Sequence, residues 1–150
     1  MFRPGYHHSF HFDESEFSTT LMLQESEIED SGLFQFTHPL RRTVDDLVLS
    51  QTAKVVEFYD APPKPEISFD EIDSNPNDDP PKLHTLDFRP GTLSIFSGSR
   101  SLHRVTPIEG MQSRLVAVMT FAGRPGFSNS AAVQKLFWGR SVAANKDVSY

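Results

Sequence analysis

The chain contains no cysteine. That excludes a disulfide framework, a thiolate metal site and a cysteine nucleophile, and it fits a reducing compartment. No apolar run approaches the ~20 residues that cross a bilayer as a helix. The first residues, Met1-Phe2-Arg3-Pro4-Gly5-Tyr6-His7-His8, lack the apolar core of a signal peptide. A cytoplasmic protein with no membrane partner is the expectation. Positive charge is scarce: 14 Lys and Arg stand against 20 Asp and Glu, for a net charge of −6. That disfavours binding to phosphate backbones, so no nucleic-acid partner is expected.

What is present suits one domain spanning 1–150. At 150 residues, 37% hydrophobic and 23% charged, the chain can bury a core. Thirteen Phe and eleven Pro favour strands, turns and loops over a helical bundle. Residues 11–24 read as a strand, rich in aromatic and β-branched side chains, and Leu33 to Thr37 as a second, ended by Pro39. Residues 43–58 suggest a helix with Thr43 as N-cap, although 53–59 suits a strand equally well. Residues 60–82 hold six Pro and seven Asp or Glu, which predicts a long exposed loop, mobile in character. Beyond it, 93–96 and 101–105 read as short strands. Leu115 to Phe121 is apolar enough for a strand buried on both faces, and 128–138 reads as a short helix capped by Ser128 or Ser130. Mostly β with one or two helices predicts a compact barrel or double-sheet jelly roll.

The chemistry concentrates in four residues. On a strand, His11 and Asp13 of His11-Phe12-Asp13 would share a face. A distant His would complete a 2-His-1-carboxylate triad, which leaves open positions on Fe(II). Ser101-Leu102-His103 supplies such a His, and Pro107 and Gly110 supply a turn after it. A turn centred between Ile108 and Glu109 would set His103 opposite Arg114 on adjacent strands, ~5 Å apart at Cβ. A guanidinium there can grip a carboxylate in bidentate fashion. Each residue has a plainer reading: polar residues on an exposed strand, a core histidine, a surface ion pair. The four in this order favour a site.

The segment His11-Phe12-Asp13-Glu14-Ser15-Glu16-Phe17-Ser18-Thr19-Thr20-Leu21-Met22-Leu23-Gln24, with Phe34-Gln35-Phe36 and Arg41, resembles the Fe(II)/2-oxoglutarate oxygenases. The group that includes the free amino-acid halogenases and their hydroxylase-like relatives is the nearest in pattern. Pro90-Gly91-Thr92-Leu93, Phe96 through Pro107, Arg114 through Val118, Arg124-Pro125-Gly126 and Phe137-Trp138-Gly139-Arg140 are similar to the same group. The resemblance runs over roughly residues 5 to 140. It implies a double-stranded β-helix (jelly-roll, cupin-like) core. It implies His11, Asp13 and His103 as iron ligands, and Arg114 as the residue that binds the distal carboxylate of 2-oxoglutarate. It implies His8, Glu14, Thr120 and Trp138 as substrate-binding groups. The cofactors would be Fe(II), 2-oxoglutarate and O2, and the product a small molecule that has been oxidised, a hydroxylated amino acid or amine. Halogenases carry Gly where this chain carries Asp13, so hydroxylation is expected in place of chlorination. Relatives have helices and a strand before the His-x-Asp segment; here ten residues precede His11, so the domain reads as short at its N-terminus.

The alternative is a non-catalytic or truncated member of the same fold, acting as a binding or subunit-interaction module. A homo-oligomer is compatible with either reading. A cupin-like isomerase or hydrolase is a third reading, but it has no need of Arg114.

Overall fold

The computed structural model describes residues 2–43, 45–60 and 79–138, without the side chains of 136–138. Seven strands and two helices follow one another in the order β1 (His8–His11), β2 (Phe17–Gln24), β3 (Phe34–Thr37), α1 (Leu49–Asp60), β4 (Leu83–Thr85), β5 (Leu93–Phe96), β6 (His103–Val105), β7 (Leu115–Phe121) and α2 (Ala131–Trp138). They make two antiparallel sheets. One has four strands in the order β1-β6-β3-β4, and the other has three in the order β5-β2-β7. No helix among the described residues is long and apolar enough to cross a membrane.

Among the described residues, the buried apolar side chains are Met22, Phe34, Val55, Leu102 and Ile108, joined by buried Ser18, Thr20 and Thr37. Alternation explains the three-stranded sheet: Ser18, Thr20 and Met22 face inward while Phe17 and Leu23 face out. Helix α2 starts where its cap predicts. The Ser130 hydroxyl accepts from Val133 N at 3.3 Å, and Ser130 O accepts from Gln134 N at 2.9 Å.

Several expectations are corrected. The strand expected over 11–24 is two strands, because the chain leaves the ladder after His11 and re-enters at Phe17. Helix α1 begins at Leu49 and not at Thr43. The Asp46 carboxylate turns back to accept from Arg42 N and Thr43 N at 2.7 and 3.0 Å, which closes a turn where the helix was expected. Its later part is helix, not strand. Strand β4 was not anticipated. Strand β7 is not buried on both faces, since Val118, Met119 and Phe121 are each about half exposed.

The expected hairpin of β6 with β7 is absent. Strand β6 pairs with β1 and β3, whereas β7 pairs with β2 in the other sheet. The turn's backbone groups are claimed elsewhere: Ile108 N donates to Tyr6 O, Thr106 N to Leu33 O, and Gly32 N to Pro107 O. The chain therefore crosses between sheets at the point where the sequence suggested a reversal. The expected loop at 60–82 lies outside the described residues over 61–78.

Candidate metal centre

His11 is the last residue of β1, and its direct cross-strand partner on β6 is His103. Two imidazoles thus share a sheet face by register alone, their ring centroids 4.3 Å apart. Asp13 comes from the segment that follows β1. Its backbone N donates to Gly98 O at 2.9 Å, which anchors the segment beside the two rings. The Asp13 Oδ1 atom lies 3.5 Å from His103 Nε2 and 3.7 Å from His11 Nε2. The three residues form the one group with metal-ligand spacing among those described, their ligand atoms within 4.8 Å of one another.

Both rings are oriented the same way. His11 Nδ1 donates to Ser9 O at 2.7 Å, and His103 Nδ1 donates to Ser101 O at 2.9 Å. A carbonyl only accepts, so Nδ1 carries a proton in each ring and Nε2 is the nitrogen turned towards Asp13. The sequence shows the repeated unit that does this, Ser9-Phe10-His11 and Ser101-Leu102-His103. The Ser18 hydroxyl donates to Asp13 Oδ2 at 2.6 Å, which leaves Oδ1 for the centre.

The donor set is two nitrogens and one oxygen with no sulfur, which suits Fe(II). Ligands ~2.1 Å from a common centre and at right angles lie ~3 Å apart. The spacings to Oδ1, 3.5 and 3.7 Å, are half an ångström or more wider than this, so the three side chains would draw together around an ion. Three such ligands would leave further positions of a six-coordinate ion to other donors.

Electrostatics agree with this role. Burial, with the charge of His103 second, lowers His11 from 6.5 to about 4, so its ring is neutral at physiological pH. Burial pushes Asp13 up. Hydrogen bonding and charge from His103, the Ser18 hydroxyl and the charge of His11 outweigh it, and the carboxyl ends below its usual range. The His11 shift has a testable consequence. Between about 4 and 6.5 the unfolded chain takes up a proton that the folded chain refuses, so stability rises with pH across that window. Metal-free protein is expected to lose melting temperature as the pH falls from 6.5 towards 4, and His11→Gln is expected to lose less over the same interval. Thermal denaturation in the presence of a chelator measures both.

Gly98 was not anticipated from the sequence. A Cβ built on it would fall 2.0 Å from Asp13 Oδ2 and 2.6 Å from Asp13 Cγ. The carboxylate occupies the space that any side chain would take. Gly98→Ala is expected to displace Asp13 and weaken Fe(II) binding ~10–100-fold, as loss of ligand support does, with the fold kept. Chelator competition for Fe(II), beside far-UV circular dichroism, measures it.

Arg114 is brought in from the other sheet. It precedes β7, and its backbone bridges to Phe2. It is 3% exposed, and its Nε atom is buried with no hydrogen-bond partner. Burial lowers its pKa from the ordinary guanidinium range to about 10, so it stays charged near neutral pH. Among the described residues no carboxylate pairs with it; the rings of Phe88 and Phe2 stand 5.4 and 5.8 Å away. It lines a cavity of about 540 Å³ together with Met22, Phe34 and Phe88. The metal ligands do not line that cavity. Phe34 forms the wall between, its ring centroid 5.6 Å from that of His103. The cavity rim carries Glu25, Glu27, Glu29 and Asp87.

No family model matches this chain, and no curated protein proves similar to it. The site stands on its geometry.

The other expected site residues divide. His8 joins the cluster: its ring lies 5.3 Å from His11, and its Nε2 is 2.5 Å from the Tyr6 hydroxyl. Thr120 is the register partner of Ser18, the residue that holds Asp13, and it lines a second cavity of about 230 Å³ with Ser15 and Asn129. Glu14 is engaged at the start of α2, where its carboxylate accepts from Ser130 N at 2.5 Å. Trp138 ends α2, and its side chain lies outside the described residues.

Proposed function

We propose that this chain is an Fe(II)- and 2-oxoglutarate-dependent oxygenase acting on a small molecule, with an amino acid or amine as the substrate class and a jelly-roll core. The observation that carries the reading is the convergence of His11, Asp13 and His103, with both Nε2 atoms turned onto one carboxylate oxygen. Arg114 supports it as a buried cation whose Nε has no hydrogen-bond partner.

Fe(II), when bound with 2-oxoglutarate and O2, supplies oxidation of a substrate C–H bond coupled to conversion of 2-oxoglutarate to succinate and CO2. The residues of the chain do the positioning. Ser9 O and Ser101 O fix the two imidazoles, Ser18 and Gly98 fix the carboxylate, and Arg114 offers a forked donor to an anionic end. The rings of Phe34 and Phe96 pack against His103 and keep that side of it apolar, which limits access of water. A carboxylate at position 13 takes up one position of the facial set, which favours hydroxylation over halogenation. Anaerobic addition of Fe(II) and then 2-oxoglutarate, followed by visible absorption, tests the reading.

A further inference from the structure

Among the described residues, no helix or strand packs on the outer face of the three-stranded sheet. Register places Phe17 beside Phe121, Thr19 between Ile95 and Met119, and Leu21 between Leu93 and Ala117. Of these, Phe17, Phe121, Ile95, Met119 and Leu93 are between 51% and 69% exposed. Strand alternation cannot account for it, because an antiparallel sheet with one wet face carries polar residues there. This face is apolar and, from Phe17 to Leu23 across to both neighbours, carries no charged residue in a chain that is 23% charged.

We propose that this face is a dimer interface, on which a second copy of the chain stacks sheet against sheet. Three properties select a second copy. The face is uncharged, so an acidic or basic partner finds no counter-charge there, while two identical apolar faces suit each other. Half-exposed side chains of this size leave roughly 600–700 Å² of apolar surface, near the ~800 Å² per partner of a standard interface and above what monomers ordinarily expose. The central strand β2 is flanked by one strand on each side, so a two-fold axis near Thr19 superposes strand on strand and gives a closed, isologous contact. The inference is independent of the metal chemistry.

The net charge of −6 gives the dimer a signature. Two copies repel at long range and attract through the apolar face, so added salt strengthens the association; a partner held by charge would weaken. Sedimentation velocity on the full chain, over roughly 1 to 100 µM and at low and high salt, is expected to show a monomer–dimer equilibrium that salt shifts towards dimer. Ile95→Lys is expected to raise the dissociation constant at least ~10-fold, because an isologous interface takes the substitution twice. Its circular dichroism and Fe(II) binding stay unchanged. Since the chain has no cysteine, a single Thr19→Cys substitution is expected to cross-link copies under mild oxidation. Met111→Cys, at a residue 89% exposed and off this sheet, should not. A monomer at every concentration overturns the proposal. So does a dimer that Ile95→Lys leaves intact and that cross-links only through position 111.

Discussion

Asp13→Ala is expected to abolish Fe(II) binding at micromolar metal while the chain remains folded. Asp13 is the one anionic member of the triad, and both imidazoles direct Nε2 towards its Oδ1. Without it two neutral nitrogens remain, which is too few donors and no charge for a hard divalent ion. Loss of a supporting residue costs ~10–100-fold, so loss of this ligand should exceed ~100-fold. The fold pays a smaller penalty. The Ser18 hydroxyl, on a residue 1% exposed, loses its acceptor at a cost of ~1–3 kcal/mol. Asp13→Asn separates the two effects, since it keeps the acceptor for Ser18 and removes the charge. Calorimetric titration of each variant with Fe(II) under anaerobic conditions, beside a melting curve, measures both. Retained micromolar binding in Asp13→Ala would show that the three side chains do not hold the ion.

Arg114→Met is expected to divide ligand binding from stability in an unusual direction. A buried charge normally has a partner, and removing it then destabilises the protein. Arg114 has no ion pair among the described residues and an orphaned Nε. Burial holds its pKa down to about 10, so the charged form is disfavoured by its surroundings with no partner to offset the cost. An apolar residue of similar length should therefore leave the apo-protein as stable as the parent or more so. Affinity for 2-oxoglutarate should fall by ~10–100-fold, the scale of one lost charge-assisted pair, while Fe(II) affinity holds. Fluorescence or calorimetric titration with 2-oxoglutarate, together with chemical denaturation, reads the two quantities. A large stability loss with no change in 2-oxoglutarate binding would make Arg114 a structural residue.

The grouping of His11, Asp13 and His103 was more legible in the sequence than the framework that builds it. His11, Asp13 and His103 converge, but by a route the residue pattern did not contain. A His-x-Asp spacing reads as two residues on one strand face, yet Asp13 lies beyond the strand end and is held by Gly98 O. The pairing of His11 with His103 is set by strand register between segments 92 residues apart, which local periodicity does not encode. Pro107 and Gly110 suggested a turn, but the chain only bends at 110–112. Turn residues say where a chain bends but not whether it returns to its own strand or passes to another sheet, and here it passes. The run Leu115–Phe121 is apolar for a reason that composition alone misassigns: its outer residues face open surface and not a core. Helix α2 was readable because its cap and its apolar content agree, whereas Asp46 bends the chain at the place where Thr43 offered a competing cap. Gly98 left no readable signal, since its constraint is the approach of a carboxylate from a distant segment.

The most direct test of the account is the anaerobic difference spectrum of the purified chain. Fe(II) added alone should leave the visible region clear. Further addition of 2-oxoglutarate should produce the charge-transfer band of its iron chelate, saturating at one equivalent. The band should be absent in Asp13→Ala and should require more 2-oxoglutarate in Arg114→Met. A folded chain that gives no band at saturating Fe(II) and 2-oxoglutarate would contradict the oxygenase reading.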